Sequence, residues 1–148
     1  MKVSVCIPMY NESSIISATA KTLHAYMSAH FAEGDWEVVF IDDGSRDGCG
    51  AAVRSLGLPG VRVIGYDKNR GKGYAVRTGM LDASADIIMF TDADLAYGTD
   101  VIARTVEVFE QNPDAELVIG SRNLTADGYA GYTFLRRVAS KTYIKVLC

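Results

Sequence analysis

The sequence predicts an α/β domain: a mainly parallel sheet with helices on both faces. Three observations lead there. Short apolar runs alternate with amphipathic helical segments along the chain. The runs are continuously apolar, as in strands buried on both faces, rather than alternating apolar and polar. Each run also ends in polar residues, and ligands of such sheets gather beyond the carboxyl ends of the strands.

The elements follow in order. Residues 2–8 (KVSVCIP) read as a buried strand, β-branched and stopped by proline. Asn11 and Ser13 are candidate N-caps for a helix. Its apolar or small residues recur at Ile15/Ile16, Thr19/Ala20, Leu23 and Tyr26/Met27, which is one helical face. Gly34 ends that segment. Residues 37–41 (EVVFI) form a second strand, followed by the turn-rich DDGSRDG and a short helix over 49–56. Residues 61–66 (VRVIGY) form a third strand, and 71–83 a helix with Val76, Met80 and Ala83 on one side. Residues 86–90 (DIIMF) form a fourth strand. Thr99 or Asp100 caps a helix carrying Val101/Ile102, Thr105/Val106 and Phe109, which Asn112-Pro113 stops. Residues 116–120 (ELVIG) predict a fifth strand, and from Tyr132 onward the chain reads as helical again.

At 148 residues the chain fits a single domain over 1–148. A composition 49% hydrophobic and 22% charged excludes disorder as a whole. The net charge of -3 leaves nucleic-acid binding without electrostatic support. The charge is uneven, however. Residues 1–120 carry ten Lys/Arg against 17 Asp/Glu. Residues 121–148 carry Arg122, Arg136, Arg137, Lys141 and Lys145 against Asp127 alone. That segment is either a solvated basic helix or a patch for an anionic partner. Cys6, Cys49 and Cys148 have no metal-ligand spacing, and scattered thiols fit a reducing compartment. The first apolar run is broken by Pro8 and Asn11-Glu12, so it is no signal peptide. No stretch approaches the ~20 apolar residues that span a bilayer. The chain reads as soluble, and as truncated at its C-terminus, because it stops inside a predicted helix.

The strand ends carry the chemistry. They are Pro8-Met9-Tyr10-Asn11-Glu12, Asp42-Asp43-Gly44-Ser45, Asn69-Arg70-Gly71-Lys72-Gly73, Asp92-Ala93-Asp94 and Gly120-Ser121-Arg122. Each alone could be a cap or turn; five on one edge call for a ligand. Asp42 and Asp43 can accept from a base N–H or a ribose hydroxyl, although Asp-Gly-Ser is also turn chemistry. Lys72 lies between two glycines at a helix N-terminus, where free amides and the helix dipole favour phosphate. Asp92 and Asp94 are hard oxygen ligands at a spacing suited to Mg²⁺ or Mn²⁺, which resolves the repulsion between two neighbouring carboxylates. The ligand implied is a nucleoside diphosphate with a group attached.

Competing motifs explain less. Gly71-Lys72-Gly73-Tyr74-Ala75-Val76 approaches the dinucleotide fingerprint, but Val76 stands at the third glycine and the motif follows the third strand. A Walker loop fails because Gly73, not Ser or Thr, follows Lys72. Asp92 as a phosphorylated nucleophile leaves Asp42-Asp43 and the 8–12 segment without a role. A nucleotidyltransferase would need a glycine-rich loop after the first strand, where Met9-Tyr10-Asn11-Glu12 stands instead.

Together the five strand ends, in this order and spacing, resemble the family 2 inverting glycosyltransferases with the GT-A fold, a three-layer nucleotide-diphospho-sugar transferase architecture. The phrase NRGKGYAVRTGM is most similar to the dolichyl-phosphate and undecaprenyl-phosphate sugar transferases. The resemblance implies that Pro8, Tyr10 and Glu12 line base and ribose, that Asp43 with Asp42 contacts the base, and that Lys72 sits beside the nucleotide. It implies that Asp92 and Asp94 form the DxD motif, with Asp94 the more direct metal ligand, and that Arg122 completes the catalytic set near sugar and phosphates. Arg136 and Ser140 match an Arg-x-x-x-Ser pair that holds an acceptor phosphate, one turn apart on a helix.

The implied reaction moves a sugar from a UDP- or GDP-sugar to a polyprenyl phosphate, with inversion and Mg²⁺ or Mn²⁺. The implied location is cytoplasmic, peripheral to or tethered at the cytoplasmic membrane face in the full-length protein. Two alternatives stand beside it: transfer to a saccharide hydroxyl, and a catalytically incomplete nucleotide-sugar-binding fragment. The second arises because enzymes of this family continue well past the position of Cys148.

Overall fold

The computed structural model describes residues 1–120. They form β1 (Val3–Met9), α1 (Ile16–His30), β2 (Trp36–Asp43), α2 (Cys49–Arg54), β3 (Val61–Tyr66), α3 (Lys72–Asp82), β4 (Ile87–Phe90) and α4 (Asp100–Gln111). The strands make one sheet in the order β3-β2-β1-β4, and every pairing is parallel. As far as Gln111, the predicted alternation of strand and helix is the observed one.

The period of two along each strand explains why both faces need helices. Val3, Val5, Ile7 and Met9 of β1 join Val38 and Phe40 of β2 on one face. There they meet Ile16, Ala20, Leu23 and Met27 of α1, Val53 of α2, and Ile102 and Val106 of α4. Cys6, Val39 and Ile41 face the other way and meet Ala75 of α3. Burying each such Val, Leu or Ile fully is worth about 1.5–3 kcal/mol before the cost of ordering the chain. On this second face α3 approaches closely. A Cβ on Gly79 would lie 2.5 Å from Ile41 Cδ1 and 3.2 Å from Cys6 Sγ.

Register fixes the functional edge. Met9 is opposite Asp42, Asp43 is opposite Tyr66, and Cys6 is opposite Phe90. Because all four strands run the same way, their carboxyl ends and the loops that follow emerge at one side.

Two expectations are corrected. Asn11 and Ser13 do not cap α1, which begins at Ile16 without a side-chain cap; both are drawn into contacts with the loop after β2. Residues 116–120 form no strand, and Leu117 and Ile119 are 74% and 75% exposed. An apolar β-branched run becomes a strand only when a neighbour takes its backbone hydrogen bonds, and none does so among the described residues. These residues belong to a second compact unit that starts at Asn112. Its first turn is closed by Ala115 N–H donating to the Asn112 carbonyl at 2.9 Å. Ser121, Arg122, the helix predicted from Tyr132, Arg136 and Ser140 lie outside the described residues. No helix among the described residues is long and apolar enough to cross a membrane.

Candidate active site

The loop after β1 is shaped by Asn11, whose φ of 55° is rare outside glycine but tolerated by asparagine. Its backbone N–H donates to Ser45 Oγ at 3.1 Å, and its Oδ1 accepts from Arg46 N–H at 2.9 Å. Ser13 N–H donates to Asp47 Oδ2 at 2.8 Å. The loop after β1 is thereby laced to the loop after β2. Tyr10 is left exposed, with Pro8 and Glu12 half-buried or partly open beside it.

Asp42 and Asp43 part company, because neighbouring strand residues point to opposite faces. Asp42 turns away from the cleft and accepts from Ser45 N–H at 2.9 Å, closing the turn that Asp-Gly-Ser chemistry favours. Asp43 is 3% exposed and lines the cleft. Its Oδ1 accepts from Tyr66 Oη at 2.7 Å and Arg70 N–H at 2.8 Å, and its Oδ2 from Gly71 N–H at 2.9 Å. Burial, then the bond to Asp43 and its negative charge, push the Tyr66 phenol well above its ordinary value. Two of the amides expected to face a phosphate are thus occupied from within. Gly44, at φ 72°, adds a steric constraint: a Cβ there would meet the Lys68 and Asn69 backbone at 2.6 Å.

Arg70 covers the outer side of the same loop. Its guanidinium lies 4.7 Å from the Tyr74 ring centre and 5.9 Å from that of Tyr66, and donates to Tyr74 Oη at 2.7 Å. Gly71 then breaks the chain direction at φ 89°, and Lys72 opens α3. The Lys72 ammonium crosses to Asp92 Oδ1 at 2.5 Å.

Beyond β4 the chain turns tightly. Leu95 N–H donates to the Asp92 carbonyl at 3.1 Å, and Leu95 itself has φ 49°. Asp94 Oδ1 accepts from Ala96 N–H at 3.0 Å. Thr19 of α1 donates its hydroxyl to the Ala93 carbonyl at 2.7 Å, pinning the middle of Asp92-Ala93-Asp94 from below. In sequence Thr19 reads only as part of an apolar helical face; the tether becomes visible once α1 is folded under the sheet edge.

These four strand ends enclose a cavity of about 390 Å³. Pro8, Tyr10 and Glu12 line it from β1, Asp43 from β2, Asn69, Gly71 and Lys72 from the third loop, and Asp92 and Asp94 from β4. Every predicted site residue among those described meets there except Asp42. The donor set suits a hard divalent cation. Asp92 and Asp94 offer oxygen only, and two carboxylates leave positions for phosphate oxygens, as Mg²⁺ and Mn²⁺ sites commonly do. Among the described residues no group of three or more His, Cys, Asp or Glu could hold a metal without such help.

Comparison with known proteins agrees with this architecture. Residues 4–145 match the model of the family described as "Glycosyl transferase family 2". A dolichol-phosphate mannosyltransferase from Pyrococcus furiosus is 32% identical over 99% of this chain and 40% of its own length. A bactoprenol glucosyl transferase of Shigella phage SfV is 30% identical over 83% of this chain and 39% of its own. The chain thus spans about two fifths of the length of these curated relatives. Among solved structures, the mannosyltransferase PcManGT from Pyrobaculum calidifontis, in complex with GDP-Man and Mn²⁺, superposes with a TM-score of 0.65 at 26% identity. It covers 86% of this chain and 37% of that one. With its parallel sheet, its polar strand ends and these matches, the chain belongs to glycosyl transferase family 2 and has the GT-A fold.

Proposed function

We propose that this domain binds a UDP- or GDP-sugar in the cleft at the carboxyl edge of the sheet and transfers the sugar, with inversion, to a polyprenyl phosphate. One observation carries the proposal: Lys72 reaches across the cleft to Asp92, beside Asp94. A cation and two hard carboxylates meet in one cleft, which supports reading it as a site for a diphosphate and its metal. Pro8, Tyr10 and Glu12 supply the wall for base and ribose, with Asp43 behind the third loop. Asp94, with Asp92, would hold Mg²⁺ or Mn²⁺, whose charge offsets that of the leaving diphosphate. Lys72 adds a positive charge on the same leaving group. A neighbour in this fold was solved with GDP-Man and Mn²⁺, which supports both donor class and metal.

The acceptor is assigned from chemistry and kinship. A lipid phosphate is already anionic and attacks without a strong general base. The named relatives are a dolichol-phosphate and a bactoprenol sugar transferase. Arg122 at the sugar and phosphates, and Arg136 with Ser140 at the acceptor phosphate, complete the proposal. It places the full-length enzyme at the cytoplasmic membrane face.

A thermal-shift panel of UDP- and GDP-sugars with Mn²⁺ tests the core of this assignment. Ligand at 100 times its Kd stabilises by about 2.7 kcal/mol. One base series is expected to raise Tm only when metal is present. No stabilisation by any nucleotide would overturn the donor assignment. Product formation from labelled donor and a short polyprenyl phosphate tests the acceptor.

A further inference from the structure

We infer that Thr19 is a positioning residue for the metal site: through one buried hydrogen bond to the Ala93 carbonyl it sets the direction in which Asp94 leaves the chain. The inference rests on the proposal that Asp92 and Asp94 hold the divalent ion. Thr19 stands on the buried face of α1, 7% exposed, among Ile16, Ala20, Leu23 and Met27. A hydroxyl there is costly unless it is bonded. It has one proton to give, and a helical threonine can give it to the carbonyl four residues back. That carbonyl, of Ile15, lies at 3.3 Å; the Ala93 carbonyl, 74 residues away along the chain, lies at 2.7 Å. The shorter bond leaves α1 and ends between the two aspartates.

The Ala93 carbonyl belongs to the peptide that joins Ala93 to Asp94. That peptide is planar, so fixing its oxygen fixes the bearing of the Asp94 backbone nitrogen, and with it where the Asp94 carboxylate can reach. Ala93 itself is 6% exposed and lies in the same core cluster as Ile16 and Ala20. The bonds within the turn are local: Leu95 N–H to the Asp92 carbonyl, Ala96 N–H to Asp94 Oδ1, and Gly98 N–H to the Leu95 carbonyl at 2.8 Å. They keep the turn in shape without fastening it to the domain. The Lys72–Asp92 pair reaches across the cleft but is open to water. Thr19 fastens the turn from a buried helix. The bond is the kind of support that stands one step behind a metal ligand, and removing such support typically costs about 10–100-fold in metal affinity.

Thr19→Val removes the hydroxyl and keeps the branched shape; Thr19→Ser keeps the hydroxyl. Mn²⁺ affinity in the presence of UDP or GDP, read by electron paramagnetic resonance, is expected to fall about tenfold in Thr19→Val and to return to within about twofold of wild type in Thr19→Ser. Binding of uridine and guanosine without metal, read by ligand-observed NMR, is expected to be unchanged in both. A residue that merely supports the fold would move metal and nucleoside together or neither. Amide hydrogen exchange at Leu95 and Ala96 in the ligand-free protein should quicken in Thr19→Val alone. Unchanged Mn²⁺ affinity in Thr19→Val overturns the inference, as does a loss that the nucleosides share or that Thr19→Ser fails to restore. Should Thr19→Val fail to fold, Thr19→Cys supplies a weaker donor. Its Mn²⁺ affinity should fall about threefold, and an unchanged value overturns the inference. Wild-type protein that binds no Mn²⁺ with either nucleotide overturns the metal assignment and this inference together. Wild-type binding with the wrong split in the variants overturns this inference alone.

Discussion

The Lys72 ammonium lies 2.5 Å from Asp92 Oδ1, so the cleft carries its own cation against the first carboxylate of the Asp-Ala-Asp turn. A divalent ion arriving there must share Asp92 with Lys72 or displace it. Lys72→Met should therefore bind Mn²⁺ more tightly in nucleotide-free protein. The gain is small, up to about fivefold, because an ion pair this open to water is worth at most about 1 kcal/mol. The same variant should bind UDP or GDP more weakly, because it lacks the cation proposed to meet the diphosphate. Mn²⁺ electron paramagnetic resonance with and without nucleotide reads both effects, and their opposite signs are the signature.

Asp94 is expected to be essential to transfer. Asp94→Ala removes the acceptor of Ala96 N–H together with the oxygen proposed to hold the metal, and should abolish transfer at a cost of about 1 kcal/mol in stability. Asp94→Asn keeps an acceptor for that turn. It should melt with the wild type yet show no metal-dependent stabilisation by nucleotide. Full transfer by either variant would remove Asp94 from the metal centre.

Gly79→Ala probes how α3 is seated. The added methyl has no space against Ile41 and Cys6, so overpacking should cost about 1–3 kcal/mol, outweighing the better helix propensity of alanine. Urea denaturation should show a lower midpoint with an unchanged slope.

Glu37 gives stability a pH dependence. Burial alone would raise its carboxyl; the hydrogen bonds from Arg62 and Ser4 outweigh that and hold it below its ordinary 4.5. Ser4 Oγ donates at 2.6 Å and Arg62 Nε at 2.7 Å. A depressed folded value means the contribution is complete above pH 4.5 and is lost as pH falls through the lowered value. Glu37→Gln should remove most of this acid dependence and lower stability at pH 7. Melts between pH 3 and 7 (a range of about four units) would show the two curves converging at the acid end.

The thiols of β1 and α2 should be inert in the folded protein. Cys6 is fully buried, and burial, then the Glu37 charge, push its thiol up to about 11. Burial raises Cys49 as well. Neither should be alkylated by iodoacetamide at pH 8 until denaturant is added, as peptide mapping would show. Rapid native labelling of Cys6 would mean that α3 lifts from the sheet.

Periodicity and composition revealed the layer order because the inner strands β1 and β2 are buried on both faces and read as apolar runs, while the edge strands β3 and β4 keep enough of that pattern to be recognised. The polar residues that follow them were equally legible, since a parallel sheet sends all its carboxyl ends to one side. Three things were not legible. Asp42 and Asp43 look alike in sequence, and only the strand's side-chain alternation sends one to the turn and the other to the cleft. The partners of Asp43 come from 23 to 28 residues away, a separation no local pattern encodes. Residues 116–120 have the composition of a strand, but pairing is a property of two segments, and the run supplies only one.

The turn after β2 has a consequence for engineering. Ser45, Arg46 and Asp47 tether the loop after β1, while Asp43 and Gly44 seat the loop before α3. Both banks of the cleft are moored to the same six-residue stretch. A graft meant to change donor preference by importing only the first or the third loop would arrive without its mooring. Chimeras should keep their shape only when 42–47 travels with the loops it holds.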